Sequence, residues 1–186
     1  MLICGVDVGK KNYYLAFLRE NKLIKTEKVS IENLEVTDIP NAVGIDAPLS
    51  FPFKGKLREC ERKLIENGIL LFPSGANFFR DIVINGIKIA FYFKNLGSEI
   101  FEVYPYATRV LLNIAPNERK RTKFGKLKIL SKLKNYIKIY ETDINKLTHD
   151  ELDAIISALT VYLFYKNKGV FIRGYDGEIL IPEKKE

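Results

Sequence analysis

Leu2–Ile3–Cys4–Gly5–Val6–Asp7–Val8–Gly9 is a short apolar run, β-branched in part, that closes on a glycine and a Lys10–Lys11–Asn12 turn. Such a run predicts a strand buried on both faces, and therefore one in the middle of a sheet. Alternation sends Ile3, Gly5 and Asp7 to one face and Cys4, Val6 and Val8 to the other. The single carboxylate in this dry strand, Asp7, is costly to bury unless it is hydrogen-bonded, paired or bound to a cation. Taken alone, it reads equally well as the cap of a backbone turn at Gly9. What separates the two readings is that the chain repeats the arrangement.

Working outward, Ala42–Val43–Gly44–Ile45–Asp46–Ala47–Pro48 is a second apolar strand that ends in an aspartate and is stopped by proline. Gly44 and Asp46 share a face, as Gly5 and Asp7 do, although an aspartate before Pro48 is also an ordinary turn-former. Glu99–Ile100–Phe101–Glu102–Val103–Tyr104–Pro105 is a third such strand, with Glu102 facing the same way as Ile100 and Tyr104. Between the first two, Tyr13–Leu18 and Leu23–Ile31 flank a polar Arg19–Lys22 turn and predict a hairpin built onto strand one. The connection Glu32–Pro40 has room for about two helical turns at most.

Helices are predicted over Leu57–Asn67, ended by Gly68, and over Phe78–Lys94, weakened by Gly86 and stopped by Gly97. A third is predicted over Lys126–Ile137, with Leu127, Leu130, Leu133 and Ile137 as its buried stripe. Ile137–Tyr140 reads equally as the start of a short strand. The clearest helix opens on Thr148–His149–Asp150–Glu151, a capping box with Thr148 as N-cap. Leu152, Ile155, Ile156, Leu159 and Leu163 form its core stripe, and Gly169 is its expected C-cap. An Asp176–Gly177 turn and the apolar Ile179–Leu180–Ile181 follow.

Asp150 and Asp153 are three residues apart on that helix and project from one side, beside the apolar stripe. An acid in the first turn complements the helix dipole, which accounts for Asp150 better than for Asp153. The candidate catalytic and metal-ligating residues are thus Asp7, Asp46, Glu102, Asp150 and Asp153. Convergent carboxylates with no histidine or cysteine cluster suit the hard cations Mg²⁺ or Mn²⁺. Two such ions, about 3.5–4 Å apart, activate water and stabilise the leaving oxygen in phosphodiester cleavage.

The 186 residues fit one domain over 1–186, with a net charge of +7 that is unevenly spread. From Arg119 to Lys138 every charged residue is basic. A single-sign block repels itself unless a polyanion lies nearby, and nucleic-acid phosphate, DNA or RNA, is the expected partner. Arg119, Arg121, Lys123, Lys126 and Lys128 are the candidate contacts from this block, with Arg58 and Arg62 one helical turn apart as a second group. Cys4 and Cys60 make neither a metal-ligand spacing nor a disulfide framework. The absence of a basic, apolar leader and of any bilayer-length apolar run predicts a cytoplasmic protein without a membrane partner.

Gly5–Gly9, Gly44–Leu49, Phe101–Pro105 and His149–Ala154, in that order, resemble domain-of-unknown-function family 429, regarded as predicted nucleases of RNase H-like fold related to the RuvC-type Holliday junction resolvases. Arg58–Arg62 and Gly177–Pro182 extend the resemblance over nearly the whole chain. It implies an α/β, RNase H-like architecture: a five-stranded mixed sheet with helices on both faces, strand one central beside the Asp46 strand, and the last helix packed across it. It also implies that Asp7, Asp46 and Asp153 with Asp150 are ligands, with either Asp46 or Glu102 as the main second-strand acid, and it admits a homodimer. A non-catalytic nucleic-acid-binding protein on the same fold is the alternative. A sugar-kinase or actin-like ATPase is disfavoured by Lys10 and Lys11, by the single copy of the first-strand motif, and by the lack of a P-loop.

Overall fold

The computed structural model describes residues 1–140 and 147–184. Strands β1 (Leu2–Val8), β2 (Asn12–Arg19), β3 (Lys22–Ser30), β4 (Ala42–Asp46) and β5 (Glu99–Glu102) form one sheet in the order β3-β2-β1-β4-β5. The β1-β2-β3 meander is antiparallel, while β4 and β5 run parallel to β1. β1, apolar except for Asp7, therefore occupies the centre, where a strand needs no polar face. The parallel register sets Asp7 directly beside Asp46.

The two faces of β1 follow its alternation. Cys4, Val6 and Val8, with Val43 and Ile45 of β4, pack under helix α2 (Arg80–Asn95) through Ile89 and Phe93. The opposite face, carrying Ile3, Gly5, Ala42 and Gly44, lies under the final helix, here α5 (His149–Phe164). Its contact with the sheet is close. A Cβ on Gly5 would run into the main chain of Ala154 and Ala158, and one on Gly44 would come within 2.8 Å of the Ser157 carbonyl oxygen.

Helix α5 is buried without interruption from Leu152 to Val161, because it is covered on both sides. Outside it lie α3 (Pro105–Leu111), joined by a 2.7 Å hydroxyl contact between Thr108 and Thr160, and an antiparallel hairpin of β6 (Gly169–Gly174) and β7 (Gly177–Pro182). Gly169 opens β6 instead of capping α5, whose C-cap is Tyr165. The Thr148 capping box is formed as expected. Helix α1 (Glu59–Glu66) is shorter than predicted, and Pro105 starts α3 where it was expected only to stop a strand. Helix α4 (Lys123–Leu133) begins three residues early because Thr122 caps it, accepting from the Gly125 amide. Its buried side is Ile129, Leu130 and Leu133, while Leu127 is exposed. No helix among the described residues is long and apolar enough to cross a membrane.

Candidate metal centre

β1 and β4 end side by side, and the crevice beyond the carboxyl ends of parallel strands is where open α/β sheets place their ligands. Asp7 and Asp46 stand there on the α5 face, and the second turn of α5 brings Asp153 over them. Each of the three offers a carboxylate oxygen, all within 4.8 Å of one another. Burial drives the Asp7 carboxyl up to about 7, opposed by Lys120 and reinforced by the charge of Asp150. Asp46 is held well above the ordinary carboxylate range by burial and by the neighbouring Asp7. Three acids this close, two of them reluctant to ionise, concentrate negative charge that a bound cation would neutralise. The donor set is all oxygen and fits a hard divalent ion.

The cluster forms the floor of a cleft of about 510 Å³, whose walls include Phe72, Phe79, Tyr104 and Arg119. Phe72 and Phe78 are 66% and 62% exposed and meet each other and Phe79 at ring-centroid distances of 5.9–6.3 Å. An aromatic platform left in water beside half-buried carboxylates offers a stacking surface to a planar group.

The other expected residues are distributed differently. Asp150 is half-buried one turn back, with its oxygen 3.5 Å from His149 Nδ1, close enough to act on Asp7 by charge but outside the converging group. Glu102 ends β5 at the same edge, yet turns away. Its oxygens accept from the Leu49 amide at 2.8 Å and from both terminal nitrogens of Arg58. Arg58 is correspondingly 1% exposed, and its Nε reaches Glu61 at 3.1 Å. The expectation that Arg58 meets phosphate is therefore corrected: the guanidinium is walled into the fold by two acids. Arg62 is engaged by the Leu57 carbonyl and the Tyr175 hydroxyl, away from the carboxylates.

Of the basic block, Arg119 and Lys120 line the carboxylate cleft, and Arg121, Lys123 and Lys126 line an adjoining depression of about 420 Å³ between the starts of α4 and α5. Lys126 donates to the Leu147 carbonyl, and Lys128 pairs with Glu118 at 2.6 Å. Lys120, indistinguishable in sequence from its neighbours, pairs directly with Asp153. The aromatic platform is equally hidden in sequence, because Phe72 meets Phe78 and Phe79 only in the fold.

The structure is similar to Thermus thermophilus RuvC in complex with a Holliday junction substrate, with a TM-score of 0.52 and 12% identity over 89% of this chain and 96% of that one. A second Thermus thermophilus RuvC structure aligns with a TM-score of 0.47 at 13% identity, covering 90% of this chain and 97% of that one. At such identity the likeness shows the fold, which is RNase H-like. No family model and no curated protein matches the chain.

Proposed function

We propose that the protein is a divalent-metal-dependent nuclease that hydrolyses phosphodiester bonds of DNA or RNA, and that it belongs with domain-of-unknown-function family 429. The observation that carries this reading is the convergence of Asp7, Asp46 and Asp153, from two strands and a helix, within 4.8 Å at the floor of a cleft flanked by Arg119 and Lys120. Mg²⁺ or Mn²⁺ held there supplies an activated water and charge stabilisation at the leaving oxygen. Asp7, Asp46 and Asp153 are the ligands, and Asp150 adds negative field behind Asp7. Arg119, with Arg121, Lys123 and Lys126 in the next depression, holds the backbone on either side of the scissile phosphate. Phe72 and Phe79 stack against bases unpaired near that point, which favours branched or single-stranded substrates over continuous duplex.

The non-catalytic alternative has one observation in its favour: Lys120 already supplies Asp153 with a cation from the protein itself. Mn²⁺ titration by calorimetry separates the two readings, run beside cleavage of a four-way DNA junction, an RNA–DNA hybrid and single strands. The nuclease binds Mn²⁺ with loss of binding in Asp153→Asn and cuts at least one of these substrates. A protein that binds the junction but neither takes up metal nor cuts is the alternative.

A further inference from the structure

Arg109 of α3 is a nearly buried cation with no carboxylate in ion-pair contact among the described residues. Its guanidinium points instead into the chain that follows. Nε donates to the Ile114 carbonyl at 3.3 Å, and one terminal nitrogen donates to the carbonyls of Ala115, Pro116 at 3.3 Å and Glu118 at 2.9 Å. Asn113 ends α3 with a left-handed backbone (φ 53°), and Ala115, whose carbonyl Arg109 holds, takes another (φ 44°). Four residues past Glu118 the chain is fixed again, where Thr122 caps α4 and its amide donates to the Arg119 carbonyl. Only Arg119–Lys120–Arg121 lies between these two anchors. That short span delivers Lys120 to Asp153.

We propose that Arg109 is a positioning residue: its grip on the 114–118 main chain holds Lys120 against Asp153, giving the carboxylate cluster a built-in counter-ion that a divalent cation must displace. Displacement rests on the metal-site reading above; the grip itself does not. A guanidinium is suited to the task because its planar fork serves several carbonyls at fixed angles, which a lysine ammonium cannot do. Among the described residues Lys120 is the cation that pairs with Asp153 and acts by charge on Asp7 and Asp46, so its removal strips the three acids of that compensation.

The test is acetylation of the intact protein, read lysine by lysine by mass spectrometry, on wild type, Arg109→Gln, Arg109→Lys and Asp153→Asn. In wild type Lys120 reacts more slowly than exposed Lys123; in both Arg109 variants its rate rises about tenfold, as it does in Asp153→Asn, while Lys126 is unchanged. Mn²⁺ calorimetry is the second arm. Arg109→Gln and Lys120→Met each tighten Mn²⁺ binding about tenfold, and the double variant gains no more than either, because both remove the same competitor. Unchanged Lys120 labelling in folded Arg109 variants overturns the proposal, and so does loss of a cooperative melt in both, which would assign Arg109 to fold maintenance alone. Failure of every form to bind Mn²⁺ overturns the metal reading and the displacement, while the labelling still decides the grip.

Discussion

Two groups of acids meet at the carboxyl edge of this sheet, and they are treated in opposite ways. Glu102 and Glu61 receive a buried arginine, a backbone amide and the remaining donors of a closed network. Asp7, Asp46 and Asp153, on the adjacent strands and the covering helix, receive one another and a single half-exposed lysine. Burial is the first cause of the raised carboxyls of Glu102, Asp7 and Asp46 alike, so desolvation alone does not explain the difference. A carboxylate with its own arginine is finished when the chain folds. One left beside two more carboxylates is not, and the missing charge is the opening for a cation.

Breaking the closed network carries the largest effect. Arg58→Met leaves Glu102 and Glu61 buried without their cation, and urea unfolding should show a loss of about 3–5 kcal/mol. A loss below 1 kcal/mol would mean the network is no more structural than its neighbour. On the open side the sign reverses. Asp153→Asn should lower metal-dependent cleavage by about 10³-fold, equivalent to ~4 kcal/mol, while leaving the melting temperature in chelator equal or higher. Added Mn²⁺ should raise the melting temperature of wild type and much less that of the variant.

The raised carboxyls sharpen the contrast through pH. Folded Asp7 and Asp46 keep protons that the unfolded chain releases, so they favour the folded state at low pH, and that contribution is lost as pH rises from about 4 towards 7. In chelator, wild type should therefore lose stability relative to Asp7→Asn/Asp46→Asn across that window, on the order of 2 kcal/mol. A parallel pair of stability curves would contradict it. Metal affinity should climb over the same range, since binding must expel those protons. The smallest effect belongs to the aromatic wall: Phe72→Ala should weaken single-strand binding by about 1 kcal/mol, measured by fluorescence anisotropy, and leave Mn²⁺ affinity unchanged.

Much of this is legible in the residues alone. β1 announces its central place by being apolar on both faces, and the Thr148 capping box locates the start of α5 to the residue. Those two features, with the glycine-aspartate spacing of β4, put Asp7, Asp46 and Asp153 among five candidate acids without separating them from Glu102 and Asp150. Glu102 follows the same local pattern as Asp46, and nothing nearby in sequence distinguishes them. What separates them is Arg58, 44 residues upstream, which only the folded chain brings to Glu102. Lys120 was obscured in the same way, since one lysine in a basic run differs from the next only by what the loop around it grips. Local patterns report strands, caps and faces; they do not report which of several equal charges a distant side chain will claim.

The glycines beneath α5 have a bearing on the carboxylate cluster although neither belongs to it. With Gly5 and Gly44 bare, the helix settles onto the sheet until its main chain stops against theirs. That contact acts as a depth stop for Asp153. The height at which its carboxylate meets Asp7 and Asp46 is fixed by two absent methyl groups, one beneath the turn that carries it and the other a turn further along. Geometry at the floor of the cleft is thereby set from the sheet upward, by how near two backbones can lie, and the whole of α5 serves as the rigid arm that transmits it.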